Sequence, residues 1–281
     1  MKLRDRISVN KQYEIYKLLD WIDINKLNWC GLSLNSNAIY LLEQKQHKID
    51  WNYLASNKNA IHLLEQNPDK INWNFLSENE NAMQLLKQNQ NKINWNFLSE
   101  NVNAIQLLDQ NQDKIQWNYL SYNKNAIHLL EQNMNKINWD FLSSNKNAIQ
   151  ILIQNQNKID WNYLSINENA IQLLEQNQDK INWKLLSNNI NAIHLLEHNL
   201  DKIYWYNLSK NENAIHLLKQ NQDKIVWNSF SSNPAIFTYN YKELKQRMKE
   251  TIAEDLMKNR FHPKYIDKWI DWGQVEADDF T

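Results

Sequence analysis

Apolar and polar positions along this chain recur with one fixed period. Tryptophan stands at Trp29, Trp51, Trp73, Trp95, Trp117, Trp139, Trp161, Trp183, Trp205 and Trp227, each 22 positions from the next, with no insertion or deletion between them. A period in this range signals a solenoid or array whose units bury their apolar faces against neighbours. Within one period the pattern splits into two short helices. The first is predicted over Lys70–Ser77, where Ile71 and Phe75 share one face and Trp73 and Leu76 another. Asp69 and its equivalents Asn91, Asp113, Asn135, Asn157, Asp179, Asp201 and Asp223 are placed to cap it, because a side-chain oxygen can accept from the free N–H groups of a first turn. The second helix follows Asn79, which is asparagine in every copy, and carries Ala82, Met83, Leu85 and Leu86 against the first. The last copy reads Asn233-Pro234, and proline suits a first helical position. Asn89 is expected to end this helix in a left-handed conformation, and Pro68 to enforce the stop.

Helices this short do not persist alone in water, so their stability comes from stacking. The expected fold is therefore all-α: a solenoid of tandem 22-residue helix pairs over residues 29–236. Residues 1–28 read as an N-terminal cap with a partial repeat, in which Ile15, Leu18 and Leu19 suggest an amphipathic helix and Asn25–Trp29 mimics the end of a unit. Residues 237–281 read as a C-terminal helical cap and acidic tail, with one longer helix over Tyr241–Asn259. At ~8–10 Å between packed helices, such an array would make a rod or superhelix roughly 70–90 Å long.

Composition agrees and narrows the function. Two glycines and three prolines leave little room for hairpin turns, and 42% apolar residues suffice for a core. The formal net charge of −1 gives no global drive towards nucleic acid or an anionic membrane. The single cysteine, Cys30, excludes an internal disulfide and fits a reducing compartment. No stretch reaches the ~20 apolar residues of a membrane span, and the N-terminus lacks a signal-peptide core. These features point to an intracellular protein without membrane attachment.

The run W-N-x-L-S-x-N-x-N-A-I-x-L-L-E-x-N-x-D-K-I resembles the short Trp/Asn repeats of proteins from giant DNA viruses of the mimivirus kind. The tail resembles theirs as well, in Tyr241-x-x-Leu244-x-x-Arg247-Met248 and Phe261-His262-Pro263-Lys264. The resemblance covers about residues 18–273. It implies a viral helical-repeat protein, in the host cytoplasm, a viral factory or a virion, and brings no reaction with it. Tyr206-Asn207 and Asn228-Ser229 depart from the pattern, which suggests local irregularity near the end of the array.

Four columns of residues carry the candidate chemistry. The tryptophans pair with Ile and Leu on a face that must be buried, so they read as core rather than as base-stacking platforms. Asn79 and Asn81 with their equivalents barely vary, and a base-per-repeat code needs positions that do, so they read as caps and bridges. The lysine column (Lys48, Lys70, Lys92, Lys114, Lys136, Lys158, Lys180, Lys202, Lys224) could track the phosphates of a polyanion. Glu43, Glu65, Glu131, Glu175 and Glu197, each five residues earlier, favour a locally neutralised column instead. His62, His128, His194 and His216 share one slot, and His194 with His198 has a metal-compatible spacing, but the slot alternates with Gln and Tyr and reads as surface polarity. No metal, cofactor or catalytic set is expected. The slots that vary flank Asn79: Leu34, Glu100, Tyr122, Ile166 and Lys210 at one, Lys58, Val102, Lys146, Ile190 and Glu212 at the other. Val102, Tyr122, Ile166 and Ile190 are apolar among charged neighbours and mark a partner surface. The resulting expectation is a non-enzymatic scaffold for a viral or host protein. The alternatives are a nucleic-acid-binding solenoid using the lysine column, and a virion structural component.

Overall fold

The computed structural model describes residues 16–255. The chain falls into two compact units, Leu18–Phe237 and residues 1–17 with 238–281. Each repeat of the first unit holds a leading helix, a trailing helix and a 3-10 turn, as in Trp73–Glu78, Met83–Gln88 and Gln90–Lys92. The architecture is an all-α solenoid in which leading helices of successive repeats pack side by side.

The leading helix starts later than the spacing predicts. Asp69 lies in a 3-10 turn, Pro68–Lys70, and the helix begins at Trp73. The chain takes an extended step between the two, through Ile71 and Asn72. That step turns the isoleucine inward (Ile93 is 8% exposed) and makes Asn72 the cap, accepting from Asn74 N–H at 3.1 Å. Asn28, Asp50, Asn94, Asn138, Asp160 and Asn182 cap in the same way. Asn89 also departs from expectation. Its φ is −131°, and no described residue has a positive φ. Instead its Nδ2 donates to Leu85 O at 2.9 Å, closing the trailing helix with a side chain. Pro68 opens the 3-10 turn rather than stopping the helix. Leu18 belongs to a strand, not to an amphipathic helix.

The core lies between the two helices of each unit and consists of Leu76, Ala82, Leu86 and their equivalents, all fully buried. Inside it runs a polar spine. Asn123 Nδ2 donates to Ser99 O (3.0 Å) and Asn101 O (2.9 Å) of the preceding repeat, while its Oδ1 accepts from Asn125 N–H (3.0 Å). Ten asparagines, Asn35 to Asn233, repeat this pattern and are at most 2% exposed. A serine column adds a second thread: Ser99 Oγ donates to Trp95 O and accepts from Gln116 N–H of the next unit.

The solenoid closes on itself. Asn35 Nδ2 donates to Ser231 O (3.1 Å) and Asn233 O (2.9 Å), the same two-carbonyl bridge that links every other pair of repeats. Asn37 Nδ2 reaches Pro234 O (3.0 Å), and Asn28 N–H reaches Ser231 Oγ (2.7 Å). The tenth repeat is assembled from both ends of the array. Trp227–Ile236 supply its first half, and Leu18–Asn28 supply the second, with Leu19 N–H on Ile236 O (2.9 Å), Trp21 against Phe230, and Lys26 over Trp227. β1 (Tyr16–Leu18) pairs with β2 (Phe237–Tyr239). The rod expected from the period is therefore a ring of ten units, each turning a tenth of a circle on average. Bridging distances at the seam match those elsewhere, so the last junction costs no more strain than the first.

Gly31 marks the seam. A Cβ there would stand 2.7 Å from Ser231 Cβ and 3.0 Å from Asn228 O. In the second unit the helix Tyr241–Asp255 forms where the pattern places it. Asn259, Phe261-His262-Pro263 and residues 265–281 lie outside the described residues.

Two outcomes test this account. Asn123→Ala takes from the Ser99 carbonyl and the Asn125 N–H their Asn123 partner, while the Asn101 carbonyl keeps Ala104 N–H, and is expected to cost about 2 kcal/mol in denaturant unfolding, whereas Asn125→Ala, at an exposed position, costs about 1 kcal/mol or less. Gly31→Ala is expected to lower the melting temperature through an overpacking cost of about 1–3 kcal/mol confined to the seam.

Candidate binding rim inside the ring

The variable slots converge. Leu34, Ser56, Glu78, Glu100 and Tyr122, from five successive repeats, line one cavity of about 440 Å³ together with Pro234 from the tenth. Side chains four repeats apart share a cavity only on the concave side of a closed array. A second cavity of about 280 Å³ continues the wall through Glu100, Val102, Tyr122, Lys124, Lys146, Ile166 and Glu168. Of the predicted partner residues, Val102, Tyr122 and Ile166 are thus brought together, and Ile190 is not part of either lining. Tyr122 is the most open, at 48% exposed, while Val102, Ile166 and Ile190 are half-buried.

Charges interleave with these apolar groups. Lys146 Nζ pairs with Glu168 Oε2 at 2.7 Å, Lys58 with Glu80 at 3.7 Å, and Ser56 Oγ donates to Glu78 Oε1 at 2.6 Å. Glu100 has burial and the Glu78 carboxylate against it, and its carboxyl is pushed up to about 7. Burial, then Glu100 and Glu168, raise the Tyr122 phenol as well. The rim therefore mixes a strained acidic pair, paired lysines and an apolar strip, a surface able to grip a partner by several chemistries at once.

The constant columns are used up by the fold. Each lysine of the column folds back over the tryptophan that opens its own period, at 4.3–4.8 Å from the ring centroid for Lys48 to Lys224. The half-buried indoles thus have a covered face, and the cations have an aromatic partner rather than the glutamates expected from sequence. The asparagine column is buried and fully bonded, which leaves Asn79 and its equivalents nothing to offer a base. The histidines stitch neighbouring trailing helices: His62, His194 and His216 place Nε2 2.7–2.9 Å from Glu43, Glu175 and Glu197. His198 Nδ1 lies against His194 O at 2.7 Å, so the two rings do not converge on one point. Sequence reasoning missed the serine column, Gly31 and the lysine–indole stack. The lysine spacing of 19 residues from tryptophan was visible, but its meaning depends on a chain reversal that the period does not reveal.

Glu100 gives the pH test. Its folded pKa is raised, so the unfolded chain ionises first as pH rises, and stability is lost between the ordinary value of 4.5 and about 7. Glu100→Gln is expected to melt above the parent at pH 8, with the gap closing towards pH 4 in parallel thermal melts.

Comparison with known proteins gives one family. The family model described as periplasmic copper-binding protein (NosD) matches residues 75–261. The match takes in the seven repeat tryptophans from Trp95 to Trp227 and most of the repeat that opens at Trp73, and the two earlier repeats, built in the same way, lie outside it. No curated protein and no solved structure matches the chain. Spanning about two thirds of its residues, the family match makes the chain a member of the NosD family.

Proposed function

We propose that this ring is a non-enzymatic binding scaffold whose inner rim holds a segment of another protein. The observation that carries the reading is the division of labour along each repeat. Residues that stay constant are spent on closing and stacking the ring, and residues that vary point to its middle. Ten leading helices at ~8–10 Å spacing make a circle roughly 25–30 Å across at their axes, which after side chains admits an extended or helical segment rather than a folded domain. The resemblance of the repeat to giant-virus proteins would make this an assembly component in an infected cell.

The family's description names copper. Among the described residues no three His, Cys, Asp or Glu side chains come together, and the three stitching histidines already face carboxylates. These donors do not fit a copper centre, so the reading draws on the rim and not on a metal. The lysine column is the weaker alternative, since each ammonium is already stacked on an indole.

Photocrosslinking tests the proposal. Benzoylphenylalanine at position 166 is expected to capture a stoichiometric, nuclease-resistant protein, and the same group at position 150, exposed on a trailing helix, is not. Tyr122→Ser with Val102→Ser should reduce the capture severalfold. Loss of the captured material on nuclease treatment would sink the scaffold reading and favour the lysine column.

A further inference from the structure

The inner wall carries a belt of aromatic rings that is incomplete. Phe75, Phe97, Tyr119, Phe141 and Tyr163 occupy one slot in five successive repeats, with ring centroids 5.6–6.5 Å apart. Tyr53 holds the slot in the second repeat. The remaining four positions are Leu185, Asn207, Ser229 and Gly31, so the belt is broken on both sides of the seam. Where it is broken there is a cavity of about 280 Å³, lined by Tyr53, Gly31, Leu34, Tyr206, Lys210 and Ser229 among others.

The departures from the repeat pattern at Tyr206-Asn207 and Asn228-Ser229 produce no irregularity in the backbone. The inter-repeat bridges of Asn211 and Asn233 are intact. What the departures do is shape this cavity. Exchanging the usual Asn-aromatic order moves the ring one residue along, so that Tyr206 stands at the cavity's edge, 43% exposed, with Lys210 Nζ 4.7 Å from its centroid. Asn207 uses its side chain on Lys184 O instead. The Ser229 hydroxyl is 3% exposed and makes no well-formed hydrogen bond. Its nearness to the Tyr206 oxygen, followed by the Lys210 charge, holds that phenol below its usual range. The cavity lining therefore offers two groups to a ligand, the Tyr206 hydroxyl and the Lys210 ammonium, while the Ser229 hydroxyl is shut off from solvent. Tyr53 and Leu34 line the same cavity, and Gly31 adds no side chain to it.

We propose that this seam cavity binds a planar aromatic carboxylate, the ring filling the vacancy in the belt between Tyr53 and Tyr206 and the carboxylate meeting Tyr206 and Lys210. The volume sits at the small end of ligand pockets and suits one or two fused rings. Stacking against tyrosine supplies the affinity for the ring, and charge-assisted hydrogen bonds fix its direction. The site shares Leu34 with the rim cavity but contains none of Val102, Tyr122 and Ile166, so variants at those three positions test the rim alone.

Amide chemical-shift mapping on the full chain tests it, with benzoate and indole-3-acetate as probes and acetate as the control. Both aromatic acids are expected to cause saturable shifts at Gly31, Ser229 and Ser232, and acetate none. Lys210→Met, at an exposed position, should weaken benzoate about tenfold, the loss of one charge-assisted contact. Ser229→Phe should abolish binding by filling the vacancy. If Ser229→Phe unfolds, the Lys210 variant and the acetate control still decide the matter. Absence of saturable shifts with either aromatic acid, equal shifts with acetate, or unchanged affinity in Lys210→Met would overturn the proposal.

Discussion

A buried primary amide that bridges two carbonyls of the preceding repeat is the interaction on which the rest of this protein depends. An asparagine side chain has two N–H donors and a carbonyl acceptor, and here all three are satisfied with no access to water. A buried amide left unpaired would cost a few kcal/mol, so the same group that stabilises the stack also penalises any other register. Leucine or isoleucine packing alone would tolerate sliding of one repeat over the next. The amide does not, and ten of them in register make the curvature uniform enough for the last repeat to meet the first.

Closure changes what the array is for. An open solenoid offers a long concave surface and two ends whose apolar faces need caps. In this ring the array's own first and last segments share one repeat, and the concave surface becomes an interior. Variation along the sequence is then variation around a circumference. Lys58 and Glu80 face Glu78 and Glu100 on one arc, and Lys146 with Glu168 lies beside Ile166 on the next. A partner inside such a ring meets several kinds of chemistry at fixed angular positions, which favours one orientation over others.

Much of this was legible in the period. The helix pairs, the core leucines and the variable edge all follow from a strict 22-residue repeat and the chemistry of each slot, whereas Asn79, expected to cap the trailing helix, closes the leading one and bridges two carbonyls of the preceding repeat, with Ala82 at the cap position. Three things were not. The leading helix starts at Trp73 and not at Lys70 because an extended step serves the isoleucine and the serine column, and neither demand is local. The lysines sit over indoles because the chain reverses between them. Closure was hidden because the tenth repeat is written in two pieces more than 200 residues apart, each of which reads as an imperfect terminal unit. The small residues at the seam, Gly31 and Ser231, look like drift until their proximity is known. At the binding rim, sequence singled out Val102, Tyr122 and Ile166 by their polarity, but only the curvature shows that they face one another.

The two-part tenth repeat also bears on how the molecule comes into being and falls apart. During synthesis the first nine units can stack in order of appearance, while Leu18–Asn28 wait without the helix that completes them until Trp227–Ile236 emerges. The final step is a loop closure over most of the chain, whose entropic cost grows only with the logarithm of length. Once made, it removes the fraying ends from which a linear array unzips. Opening the circle at one junction then leaves nine others holding, and separating it into two pieces requires two breaks. A ring sealed by the two ends of its own array is in this sense a latch: the last repeat made decides when the first segment becomes part of the fold.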